Sequence, residues 1–179
     1  MEMKKFAILA LLVCLATLFV ACQPPVEPMS LDKVNSMAQQ NYTSIKVETK
    51  TTVGEFVLVD TFVYTLNNNV ISVDYTTQRL AEFGESVLDN PIITETGSNT
   101  MDGSTLNCSY NFNQNCLADV NLTETSLSAT VADAQAFLGT QVQCSNMTVV
   151  ANFGTHLQNV VVAYTTTNGT VTTTWTFTK

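Results

Sequence analysis

The dipeptide Asn168-Gly169 separates two runs, Val160 to Thr167 and Thr170 to Thr178, in which apolar side chains alternate with threonine. Asn-Gly supplies the positive-φ residues of a tight hairpin turn, and a period of two is the repeat of a half-buried strand. Such a pattern does not sit still as an amphipathic helix, so the chain must build antiparallel sheet. Pairing through the turn puts Val160, Val162, Tyr164, Val171, Trp175 and Phe177 on one face. Thr165, Thr167, Thr170, Thr172, Thr174 and Thr176 share the other. Threonine suits an exposed sheet surface, because its branched side chain fits the pleat while its hydroxyl stays solvated. A flat threonine array also offers a surface to an ordered polar partner such as a polysaccharide. Trp175 and Tyr164 belong in the core, or line an apolar pocket where helices leave that face uncovered.

The same reading extends along the chain. Ser30 is an N-cap for a short helix presenting Leu31, Val34, Met37 and Ala38. Ile45, Val47 and Thr49 alternate with charged residues, Phe56 to Thr65 reads as a central strand, and Ile71, Val73 and Tyr75 face inward after an Asn67-Asn68-Asn69 turn. Thr77 to Asp89 has the spacing of a helix, with Leu80, Phe83 and Val87 aligned. Ile92 to Gly103 is polar and reads as a connection. Leu106, Cys108, Tyr110 and Phe112 then share a face with Cys116, Ala118, Val120 and Leu122, which predicts a hairpin looped at residues 113–115. Thr130 with Asp133 predicts the N-cap of a second helix, ended by Gly139, before a strand carrying Met147, Val149, Ala151 and Phe153. At an offset of one hundred residues, apolar positions and turns of 30–78 meet those of 130–178 without a gap. The predicted class is α+β: mostly antiparallel sheet packed by short helices, with two helix-plus-three-strand units in tandem as one account of the pattern.

Charged residues make up 12% of the 179, against about 25% in ordinary soluble domains, and 28 threonines and 16 asparagines help fill the polar positions. With 45% hydrophobic residues the chain has enough apolar surface to fold, which argues against disorder. Seven Lys and Arg, two of them at positions 4 and 5, exclude a basic nucleic-acid surface. A single histidine, His156, excludes multi-histidine metal or relay sites, and its place at a strand start fits a loop or edge residue. From Glu82 to Asp133 all charges are acidic, which fits a solubilising surface.

Lys4 and Lys5 precede an uncharged run from Phe6 to Ala21. That run is shorter than the about 20 residues of a membrane span and suits a secretory signal. It ends Leu18-Phe19-Val20-Ala21-Cys22, followed by Gln23 and a stretch with prolines at 24, 25 and 28. This segment resembles the lipobox of bacterial lipoproteins, in which a cysteine after a small residue is diacylated and becomes the mature N-terminus. Ala21 matches the small residue and Cys22 the lipidated thiol, while Phe19 stands where the family usually has leucine. The resemblance implies a signal peptide at 1–21, a lipidated Cys22 with a Pro-rich tether at 22–29, and a single domain at 30–179. Acyl chains contribute about 0.8 kcal/mol per buried CH₂, so more than one on a single cysteine anchors firmly.

With Cys14 in the signal and Cys22 acylated, Cys108, Cys116 and Cys144 remain, which permits one disulfide. The predicted hairpin separates Cys108 from Cys116 by about 13 Å along the ladder, beyond the reach of a disulfide. The bond is therefore expected between Cys144 and either Cys108 or Cys116, or not at all. No phosphate loop, CxxC pair, HExxH, G-x-S-x-G or EF-hand loop occurs, so neither a catalytic residue nor a cofactor or metal site is expected. The expected function is a non-catalytic binding or interaction module of the cell envelope. Its membrane contact is the lipid anchor on the extracytoplasmic side, and its ligand is a protein, a polysaccharide or a small apolar molecule. The alternative is a secreted structural or surface glycoprotein, for which Asn41, Asn107, Asn121, Asn146 and Asn168 stand in N-x-S/T sequons.

Overall fold

A computed structural model describes residues 28–81, 92–108 and 110–179. Ser30 opens the first helix, α1 (Leu31–Ala38), its hydroxyl accepting from the Lys33 N–H at 3.2 Å. Val34, Met37 and Ala38 are buried, so the apolar face expected of α1 is the one used. Three strands follow as a meander: β1 (Ser44–Val53), β2 (Phe56–Asn67) and β3 (Val70–Ala81). Asn68 and Asn69 have φ of 49° and 63°, the two left-handed residues that match a tight turn to strand twist. Beyond β3 come β4 (Ile92–Asp102), β5 (Leu117–Leu122), β6 (Ser126–Val131), the helix α2 (Ala134–Leu138), β7 (Ser145–Phe153), β8 (Leu157–Thr165) and β9 (Thr170–Thr178). All nine strands form one antiparallel sheet in the order β4-β3-β2-β1-β9-β8-β7-β6-β5. The first and last strands are thus neighbours at its centre, with Ser44 opposite Thr178 and Val47 opposite Trp175.

This corrects the expected α+β class. The molecule is largely β, and its two described helices, of eight and five residues, are too short to cover such a sheet. The spacing read as a helix at 77–89 fails over 77–81, where β3 continues and Thr77 pairs with Asp60 and Arg79 with Leu58. A ladder available on both sides of β3 outweighs the few tenths of a kcal/mol per residue in helix propensity. The remainder of that segment, 82–89, lies outside the described residues. The polar stretch from Ile92 is an edge strand: half of its backbone groups face away from β3, so its side chains need not be apolar.

Two further corrections concern pairing. No hairpin joins 106–112 to 116–122; β5 pairs instead with β6, which the sequence reading had not separated from the following helix. Thr130 lies inside β6, and Asp133 caps α2, its carboxylate accepting from the Ala136 N–H at 2.9 Å. At the other end Gly139 closes α2 at φ 67°, as expected. The final hairpin keeps its faces but not its turn. Thr165 pairs with Thr170, so the connection has four residues, and the register differs by two from a direct Asn-Gly turn. A slip of two preserves every side chain's face.

The core lies on one side of the sheet. Ile45, Val73, Val149, Val160, Val162 and Phe177 from the strands meet Val34, Met37, Phe112 and Phe137 from α1, α2 and the 106–116 segment. The opposite side carries the threonine rows, flanked on β1 by an exposed Lys46–Glu48 pair at 2.9 Å, a contact worth about 0–1 kcal/mol.

Candidate functional site

Among the described residues, the cover over the sheet's inner face leaves a gap where β1 meets β9. In β1, Ile45 stands opposite Tyr64 on one side and Phe177 on the other, and Val47 stands opposite Trp175. These five side chains form a continuous apolar floor. Above them Leu106, Asn107, Cys108 and Tyr110 close a cleft of about 240 Å³. The upper wall is held without regular hydrogen-bonded ladders. Tyr42 N–H donates to Leu106 O at 2.9 Å. Asn35 accepts from Phe112 N–H at 2.8 Å and donates to its carbonyl at 3.2 Å, which gives the segment the pairing a neighbouring strand would have supplied.

Aromatic rings define the cleft's shape. Tyr110 meets Trp175 edge-on at 4.7 Å and stacks on Phe137 at 5.4 Å. Tyr42 packs on Phe177 at 5.0 Å, and its hydroxyl donates to the Met37 carbonyl at 2.9 Å. Burial pushes the Cys108 thiol and the Tyr110 phenol above their ordinary values, and proximity to Cys108 raises Tyr110 further. Tyr42 is pushed up to about 12 by burial and then by Cys108. Tyr164, beyond the cleft, is raised by burial and by Cys144. At neutral pH the walls therefore carry no charge, and Cys108 is held as a thiol rather than the nucleophilic thiolate. The arrangement suits the exclusion of water from an apolar guest, with Asn107 as the polar group at hand.

A broader hollow of about 620 Å³ opens beside the first turn of α1, around Asp32, Asn35, Asn111, Asn113 and Gln114. Its lining is mostly polar and open to water, so a guest there would gain little from desolvation. The smaller cleft carries the chemistry.

Of the residues singled out in the sequence, Trp175 and Cys108 come together in this cleft. Cys116 is buried just before β5, Cys144 is half-buried, and all three described cysteines are free, with no disulfide among them. With β5 paired to β6, no hairpin ladder sets the separation of Cys108 from Cys116. Cys22 lies outside the described residues. Asn41, Asn107, Asn121, Asn146 and Asn168 are all exposed. Asn107, oriented to satisfy its neighbours, donates to Asn41 Oδ1 at 2.8 Å. His156 is half-buried, 6.2 Å from the Tyr42 ring. Among the described residues no three His, Cys, Asp or Glu side chains gather as metal ligands. That Leu106, Asn107, Cys108, Tyr110 and Phe112 lie over the sheet and not in it was not apparent from their alternation. The signal was there: asparagines at 107, 111, 113 and 115 disfavour a strand.

Comparison with protein families, with curated proteins and with solved structures finds no match to this chain.

Proposed function

We propose that this chain is a non-catalytic binding module of the cell envelope, anchored on the extracytoplasmic side through a lipidated Cys22 and its Pro-rich tether, and that the β1–β9 cleft takes a small apolar ligand. The observation that carries the binding reading is the cleft itself: an uncharged, largely aromatic and aliphatic lining of which Trp175 is part. Its 240 Å³ falls below the about 300–1,000 Å³ of drug-sized sites, which favours a compact guest. The anchor rests on the resemblance of residues 18–22 to a lipobox.

Trp175 is the chain's single tryptophan, so its emission reports on the cleft directly. Titration with the apolar probe N-phenyl-1-naphthylamine is expected to quench Trp175 to saturation, and Val47→Phe, which fills the floor, to weaken that binding about tenfold or more. A linear, unsaturable response, or the same affinity in both proteins, would overturn the reading. The anchor is tested by the intact mass of the mature protein from the membrane fraction. Residues 22–179 plus acyl chains, lost in Cys22→Ala, support it. A soluble product carrying hexose increments at the sequons replaces it with the secreted glycoprotein.

A further inference from the structure

The two ends of the sheet are unlike. At one end β5 is six residues long, its register breaks between Ala118 and Asn121, and Asp119 adopts φ 48° with its carboxylate on the Thr130 hydroxyl at 3.1 Å. Shortness and a bulge are devices that stop an edge from pairing. At the other end β4 runs for eleven residues, and every one but the half-buried Gly97 is exposed, including Ile92, Ile93 and Met101. The bond from Gly103 N–H to Asn69 O at 3.0 Å sets the alternation: odd-numbered residues of β4 up to its bulge near Thr94 face β3. The backbone groups of Thr96, Ser98 and Thr100 therefore point away from the sheet, and the Thr100 N–H donates only sideways, to Asn99 Oδ1.

We infer that β4 pairs antiparallel with β4 of a second copy of this chain, forming a closed two-fold dimer whose sheet runs continuously through both. Three observations favour a second copy over another extended segment. The strand is self-complementary: with Gly97 opposite itself, Thr96 faces Ser98 and Glu95 faces Asn99 of the second copy, so no like charges stand opposite. Among the described residues one edge is long and regular, so self-pairing consumes it and closes, where a chain open at both ends would grow into fibres. The molecule already joins two strand edges in this antiparallel way at β1 and β9.

Ser98→Pro tests the inference, since it removes an outward N–H and no bond to β3. Sedimentation of the full chain, as its host processes it and in mild detergent where membrane-bound, is expected to give twice the monomer mass. Ser98→Pro is expected to be monomeric with an unchanged circular dichroism spectrum. A wild-type monomer up to about 100 μM, or a dimer that survives Ser98→Pro, overturns it. Should the variant fail to fold, amide exchange in the unaltered chain decides. Thr96, Ser98 and Thr100 exchanging about tenfold or more slowly at high than at low concentration supports the dimer; equal rates overturn it. Protection that arises only on adding an extended peptide from another protein would likewise assign the edge to that partner instead.

Discussion

Tyr42 joins the end of α1 to the floor beside the cleft with one side chain. Its hydroxyl donates to the carbonyls of Met37 and Ala38, two of the groups a helix end leaves without partners, while its ring is 1% exposed against Phe177. Tyr42→Phe keeps the ring and loses the hydroxyl, so it should cost about 1 kcal/mol in denaturant unfolding. The same residue makes stability pH-dependent in a stated direction. The folded chain holds the Tyr42 proton to about 12, whereas the unfolded chain releases it near 10.0; Cys108, raised from 9.0, acts in the same sense. The stabilisation is fully present below pH 9.0 and is lost as pH rises toward 12. Thermal melts across that window should fall steeply, and less so in Tyr42→Phe. Gly169 is a second sensitive point: a Cβ there would collide with the Thr52 carbonyl oxygen. Gly169→Ala should destabilise by about 1–3 kcal/mol, read as a lower denaturation midpoint with unchanged slope.

At the scale of elements, the segment 106–116 is sensitive to single substitutions: among its described residues a few backbone bonds near Leu106 and Cys116 and the Asn35 side chain hold it in place of a ladder. Burial of Phe112 is the larger contribution, about 3–5 kcal/mol by truncation, and the paired bonds from Asn35 add about 1–3. Asn35→Ala should therefore leave the sheet folded while loosening the lid. The expected readout is faster amide exchange at Phe112 with weaker quenching of Trp175 by an apolar probe. This segment also marks where the sequence ceased to be legible. Its alternation at Leu106, Cys108, Tyr110 and Phe112 is the print of one apolar side resting on a core, which a strand and an extended lid share. β8 and β9 were readable because their alternation flanks Asn168-Gly169, β2 and the start of β3 because they flank Asn68-Asn69, and β1 because its apolar residues alternate with charged ones. β4 was not, since an edge strand dominated by Thr, Ser and Asn has no buried face to announce it. The cleft was half legible: Trp175 on the inner face followed from period two, but the opposition of Val47 to Trp175 spans most of the chain and leaves no local trace.

Across the whole molecule, two segments fold alike, a helix followed by a three-strand meander, first α1 with β1–β3 and then α2 with β7–β9. The chain between them supplies β4 to one end of the sheet and β5–β6 to the other. Only β1 and β9 join the two halves at the centre, and the cleft lies across that seam. Removing residues 170–179 should therefore abolish cooperative unfolding by heat, read by circular dichroism, and not merely lower its midpoint. The position of β9 also has a temporal meaning. Thr43 and Ser44 meet Thr178, across a separation of 135 residues in the first case, so the middle of the sheet cannot form before β9 is made. During synthesis the finished amino-terminal half has no central partner, and such distant closure is intrinsically slow. A polypeptide arranged in this way keeps the outer edge of β1 unpaired until β9 has emerged, however much of β1–β8 is already in place.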